Sequence, residues 1–320
     1  DVLGSRGLGD VYKRQVRRIM VMERKEALDE LTNLIANFTC IIGKRLPDDV
    51  MVKLKALGKE ETEPMAKMIY EAMVKNQEKA EELNRPSCQD TGLIQMFVRV
   101  GSKFPYIDDL SKVLKDAVSI ATKKAPLRHN TVETFDEVNT GTNVGSKSPW
   151  VYWDIIPNSD KLELDIYMAG GGCSLPGQGK TLMPSEGYEG IVKFVLDIMT
   201  SYGLNACPPL LIGIGVGSTI DAAAYMSKRA LMRQVGSHNS NKIISKLEDE
   251  LVTAIDSLKL GPQGLRGSKS VMGVNIENSA RHPSVISVAV NVGCWSHRRG
   301  TIVFNKDLSY EVITHRGANL

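Results

Sequence analysis

The sequence has no stretch of apolar residues near the ~18 that a bilayer-crossing helix needs. Its best run, Leu210 to Val216, is short and interrupted by two glycines. The basic start, apolar stretch and small-residue cleavage site of a secretory signal are missing from the N-terminus. Five cysteines, an odd number, without such a signal make reduced thiols in a cytoplasmic setting the default.

Positive charge is missing where a polyanionic partner would need it. The formal net charge is +3, but residues 1–19 carry Arg6, Lys13, Arg14, Arg17 and Arg18 against Asp1 and Asp10, which leaves the remainder neutral. Nucleic-acid binding requires Lys and Arg to displace phosphate counterions, so the body of the chain lacks that footprint. Internal repeats, low-complexity tracts and composition breaks are absent from 20–320, which reads as one domain. A nucleotide-binding reading of Gly213-Ile214-Gly215-Val216-Gly217 also fails. The spacing is not Gly-x-Gly-x-x-Gly and no clear partner acid follows, so the glycines read as structural.

What is present suits a globular enzyme. At 42% hydrophobic, 320 residues can bury a sizeable core. Leu28, Leu31, Leu34, Ile35 and Phe38 recur at three- and four-residue steps, which predicts an amphipathic helix over about 23–42 with Cys40 as a buried thiol. Further helices are expected over about 60–83, 110–124, 188–202, 219–232 and 241–259. Strands are expected over 93–100 and 285–292, and over 150–156 and 162–168 as a pair joined by a polar turn. Residues 1–19 carry no periodicity and resemble a translated adapter read-through. We expect a non-native or disordered leader that packs on nothing, with the natural start at Met20 or Met22; an organellar presequence would be Ser-rich and avoid acids.

Three cysteines occupy loop-like segments: Arg85-Pro86-Ser87-Cys88-Gln89-Asp90-Thr91-Gly92, Asn205-Ala206-Cys207-Pro208-Pro209 and Gly293-Cys294-Trp295-Ser296-His297-Arg298-Arg299-Gly300. They lie 119 and 87 residues apart, too far for a local CxxC knuckle or a short disulfide loop, so they point to a site assembled by the fold. The same order continues with Ala125-Pro126-Leu127-Arg128, Ala169-Gly170-Gly171-Gly172-Cys173-Ser174, Met183-Pro184-Ser185-Glu186-Gly187-Tyr188-Glu189-Gly190 and Ala280-Arg281-His282-Pro283. Together these segments resemble the class I fumarate hydratase family, in its two-subunit form, from about Met20 to the C-terminus.

The resemblance implies an α/β fold of mixed β-sheets flanked by helices, as in the N-terminal domain of class I fumarases. It implies a [4Fe–4S] cluster held by Cys88, Cys207 and Cys294, with Cys173 the nearest rival and Cys40 outside the set. Three thiolates leave one iron free to act as a Lewis acid. The implied reaction removes water from a 2-hydroxy dicarboxylate: tartrate would give oxaloacetate, and malate would give fumarate. Asp90 and His282 are the implied catalytic residues; Gln89, Asp90, Arg128, the Gly171 backbone and Lys180 are the implied substrate contacts. The loop Leu175-Pro176-Gly177-Gln178-Gly179 departs from the fumarase-like version, which favours tartrate. Single-chain members carry the proton-abstracting base on a C-terminal domain. This chain ends at Leu320, so a beta subunit is expected to complete the site, in an α2β2 assembly.

Taken singly, each residue has an ordinary reading. Asp90-Thr91-Gly92 suits a turn, Arg128 a surface charge, His282 a loop histidine. A zinc scaffold using the three cysteines with His282 or His297 would require a fourth ligand on one common centre. Arg298 and Arg299, being adjacent, are not expected both to point inward.

Overall fold

The structure, a computed structural model, describes the backbone from residue 5 to 320 and side chains from Glu23 onward. The expectation that residues 1–19 pack on nothing concerns side chains that lie outside the described ones. The chain opens with α1 (Ser5–Lys44), α2 (Asp48–Glu60) and α3 (Pro64–Glu82), followed by β1 (Leu93–Gly101), α4 (Leu110–Lys124) and the small hairpin β2 (Val132–Glu133) and β3 (Val138–Asn139). Then come β4 (Trp150–Ile156), β5 (Leu162–Ala169), the one-turn α5 (Gly171–Ser174), β6 (Gln178–Leu182) and α6 (Gly187–Tyr202). The last part holds β7 (Leu210–Gly217), α7 (Ile220–Met232), α8 (Lys242–Asp256), β8 (Val271–Asn278), β9 (Ile286–Gly293), β10 (Arg299–Phe304) and β11 (Tyr310–Val312).

The helix α2 was not anticipated. It follows Pro47, carries Asp48 and Asp49 in its first turn, and buries Val50, Leu54 and Leu57 at helical spacing. Its lysines and Gly58 dilute that pattern in the sequence.

Two mixed sheets form the frame. The first has the order β11-β10-β5-β1-β4, and the second β6-β9-β7-β8. The expected pairing of β4 with β5 is corrected, because both flank β1: β4 runs parallel to it and β5 antiparallel. Their connection crosses the end of β1, where the Gly101 amide donates to the Lys161 carbonyl at 2.7 Å. A side chain at Gly101 would meet the Ser159 carbonyl at 2.2 Å, so glycine allows the crossing.

α1 and α4 cover the outer face of the first sheet, burying Leu31, Ile35, Phe38 and Leu114 against Met96, Val98, Leu164 and Ile166. α6 and α8 cover the outer face of the second, with Val195, Ile198 and Leu251 against Ile212, Val288 and Val290. A third core lies between the sheets, where Leu54, Tyr70 and Leu231 join Phe97 and Tyr167 of one sheet to Leu211 and Met272 of the other.

Helix α7 spans that gap. On one side Arg229 pairs with Asp165 at 2.5 Å and lies 5.2 Å over the Phe97 ring. On the other, a side chain at Gly213 or Gly215 would stand 2.2 Å from the Ser227 carbonyl or 1.9 Å from that of Ala223. The glycines therefore let α7 lie directly on β7, which is their structural role. None of the helices among the described residues is long and apolar enough to cross a membrane.

Candidate functional site

The three cysteine segments meet at one end of the second sheet. Cys207 precedes β7 and Cys294 follows β9, and these antiparallel neighbours pair Leu211 with Gly293, so both residues leave the sheet on the same side. The Trp295 amide donates to the Cys207 carbonyl at 3.2 Å and ties the two loops together. Cys207 itself adopts a left-handed backbone with φ 53°. That conformation costs a non-glycine residue about 1–2 kcal/mol and is characteristic of positions held for function.

Asp90 brings in the remaining segments. Its Oδ2 accepts from the Gly171 amide at 2.8 Å, and Oδ1 accepts from the Gly92 amide at 2.9 Å and from Asn130 Nδ2. Its carbonyl accepts from Arg298 Nη2. Burial pushes the Cys207 thiol up, and the charges of Cys294, Cys88 and Asp90 push it further. All three cysteines and Asp90 therefore share one locality.

A fourth thiol belongs to it. Cys173 is buried against Cys294, whose thiol hydrogen bond pulls Cys173 down while Cys294 is pushed well up. Below them sits Tyr167, fully buried, with the Lys228 ammonium 5.6 Å over its ring. Burial brings Lys228 down to about 8, partly opposed by Cys173.

His297 plays a structural part. It is 1% exposed, its Nε2 lies 2.9 Å from the Leu231 carbonyl, and burial followed by the charge of Arg299 pushes it down to about 3. It is thus neutral and committed. Among the described residues no three His, Cys, Asp or Glu side chains are placed to hold a single metal ion. The zinc-scaffold reading needs four ligand atoms within ~2.3 Å of one centre. In a four-iron cluster each thiolate takes its own corner, a wider spread than a single ion requires.

The other expected residues divide into near and far. Gln89 is exposed beside Asp90. Arg128 is exposed too, and its segment is anchored at the site, since the Arg128 carbonyl accepts from Asn143 Nδ2 at 3.1 Å and Asn130 reaches Asp90. The Gly171 amide is already engaged by Asp90 and so bears on a ligand only through that carboxylate. Lys180 pairs across to Val288, six residues before Cys294, or roughly 20 Å along the strand. His282 precedes β9 entirely, which places it roughly 25 Å from Cys294 at the other end of the sheet, exposed among Arg281, Pro283 and Ser284. The structure brings neither Lys180 nor His282 to the cysteines.

Both arginines after Cys294 point inward, contrary to expectation. Arg299 opens β10 and Arg298 directly precedes it, so the two side chains leave the extended backbone on opposite faces. Arg298 reaches Asp90, and Arg299 reaches the Asp49 carboxylate and the Arg233 carbonyl. Asn130, Tyr167 and Lys228 were missed by sequence reasoning. Lys228 alone left a signal, as a lysine beside the buried stripe Ala223, Ser227, Ala230 and Leu231 of α7.

The chain that carries these thiols and the tethered aspartate is matched by known sequences. The model of the fumarate hydratase (Fumerase) family covers residues 32–303. The chain belongs to that family, whose enzymes are hydro-lyases. It is 54% identical over 292 residues to the protein named L(+)-tartrate dehydratase subunit alpha of Escherichia coli strain K12, spanning 91% of this chain and 96% of the relative. The Shigella boydii protein of the same name matches with the same identity and coverage.

Proposed function

We propose that this chain is the cluster-bearing subunit of a cytoplasmic hydro-lyase that dehydrates L(+)-tartrate to oxaloacetate. The observation that carries the reading is the convergence of Cys88, Cys207 and Cys294 around Asp90 from three distant parts of the sequence. The relatives' names supply the substrate and the term "subunit alpha".

The donor set fits a [4Fe–4S] cluster held by the three thiolates. Arg298 is 1% exposed, and its Nε and Nη1 have no partner among the described residues, which suits a site built to take an anionic sulfur-rich group. When bound, the cluster would supply a Lewis-acidic iron without a protein ligand.

The chain's own residues bind and orient the substrate. Arg128 presents a guanidinium whose two-pronged donors match a carboxylate. Gln89 adds a neutral donor and acceptor next to Asp90. Three donors fix the plane of the Asp90 carboxylate, which aims its remaining lone pairs at the substrate hydroxyl and lets it hold a proton there. Gly171 acts by steadying Asp90. Lys180 and His282 have no part in this chain's own site. The base for the C3 proton and further cations are assigned to a beta subunit, in an α2β2 assembly.

Co-expression with a beta subunit, anaerobically and with iron, tests the reading. An oxygen-sensitive activity with a higher kcat/KM for L(+)-tartrate than for malate is expected. A strong preference for malate or fumarate would reassign the enzyme as a two-subunit fumarase, and full activity of the isolated chain would remove the need for a partner.

A further inference from the structure

We propose that Arg298 and Lys228 form a cationic floor beneath the cysteines, donating hydrogen bonds and charge to the sulfur of the bound cluster and so setting how firmly it is retained and how readily it is oxidised. They are positioning residues, and the inference rests on the cluster reading above.

Arg298 is among the largest fully buried side chains of the chain. Only its Nη2 is engaged, by the Asp90 carbonyl, while Nε and Nη1 have no partner among the described residues. Buried donors, above all those of a charged group, are almost always satisfied, so two idle ones point to an acceptor in the loaded state. The charge of Arg298 is felt by Cys173, Cys294 and Tyr167, and also by the adjacent His297. Thiolates and cluster sulfides are the acceptors this neighbourhood offers.

Lys228 arrives at the same patch from α7. Its ammonium lies 5.6 Å over the Tyr167 ring, close enough to Cys173 for the two to interact electrostatically. Of the carboxylates in this neighbourhood, Asp90 is already bound on both oxygens by Gly92, Asn130 and Gly171, and Asp165 on both by Arg229 and Thr301. Two cations thus stand under the thiols with no carboxylate committed to them. Three thiolates on a four-iron cluster leave a net negative charge, which such a floor balances. Hydrogen bonds to cluster sulfur and nearby positive charge raise the reduction potential, and partners of this kind change metal affinity or activity by about 10–100-fold.

The test compares wild-type, Lys228→Met, Lys228→Arg and Arg298→Lys chains, each co-expressed with the beta subunit and reconstituted anaerobically with iron and sulfide. Iron and sulfide content, the rate of loss of visible absorbance in air and the reduction potential are measured. Lys228→Met should load, then lose its cluster about tenfold faster in air, with a lower potential. Lys228→Arg should stay near wild type. Arg298→Lys should resemble Lys228→Met; if it does not fold, Lys228→Met decides. Wild-type rates and potentials in Lys228→Met would overturn the proposal while leaving the cluster reading intact. A wild-type complex that takes up no iron and sulfide would instead bring down the cluster reading, and this inference with it.

Discussion

The Gly171 amide donates to Asp90 Oδ2 across 2.8 Å, joining two loops that lie 81 residues apart in the chain. This bond connects the Cys88 loop to the triple-glycine turn that carries Cys173. Through Arg298, Asp90 also holds the Cys294 loop. One carboxylate is therefore the knot of the site.

Asp90→Asn should untie it. An amide nitrogen would face the exposed Gly171 amide or the half-buried Asn130 amide, and losing a hydrogen bond to a charged carboxylate costs about 1.5–3 kcal/mol. The loss of a positioned acid–base group costs about 10²–10⁴-fold in rate. We expect kcat/KM of the two-subunit complex to fall by at least about a hundredfold, with the circular dichroism spectrum unchanged. Activity within about threefold of wild type would remove Asp90 from the chemistry.

The cysteines should separate into two groups by iron content. Cys88→Ser, Cys207→Ser and Cys294→Ser should each lose bound iron and activity together, because a hydroxyl replaces a thiolate ligand. Cys40 is buried in the outer core, 3.8 Å from the Ala121 carbonyl, and Cys40→Ala should keep full iron and near-normal activity. Cys173→Ser should retain iron; its loss would make Cys173 a ligand in place of one of the three.

Gly215→Ala should disrupt the fold where Gly273→Ala does not. The new methyl of the first would stand 1.9 Å from the Ala223 carbonyl, whereas that of the second would meet only Leu211 Cδ1 at 3.5 Å. Forced overpacking of this kind costs about 1–3 kcal/mol or more. Thermal melting of the two variants checks it, and equal melting temperatures would show that α7 does not rest on β7 as described.

Stability should fall in mild acid for a reason that can be traced to two histidines. Burial pushes His315 down to about 4, against its hydrogen bond to the Arg45 carbonyl, and His297 down to about 3. An unfolded histidine titrates near 6.5, so below that value the unfolded state binds protons that the native state refuses. Stability is then complete above about pH 6.5 and declines as pH falls toward 4, by up to about 1.4 kcal/mol per pH unit for each histidine. Urea unfolding of the metal-free chain at about pH 7.5 and 5 measures the slope. His315→Gln should reduce it; an unchanged slope would mean that His315 already titrates normally.

Local pattern carried much of this architecture. α4 and the strands around Leu93, Trp150 and Leu162 were legible from periodicity, and the three cysteines stood out through their loops. What escaped was set by distant contacts. Nothing in Trp150–Ile156 says that it will lie parallel to β1, because that depends on a turn crossing Gly101. The inward turn of both Arg298 and Arg299 depends on Asp90 and Asp49, more than 200 residues earlier. His282 was drawn toward the site by the family resemblance of Ala280-Arg281-His282-Pro283, yet the full length of β9 lies between it and Cys294.

The placement of α7 bears on how the molecule comes apart. Its Arg229 is locked to Asp165 in one sheet, and its backbone lies against the glycines of the other. Neither sheet can shed its inner face without uncovering the same helix. The two sheets are therefore expected to melt as one cooperative unit, and a ligand gripping the thiols at their shared end would raise the stability of both together.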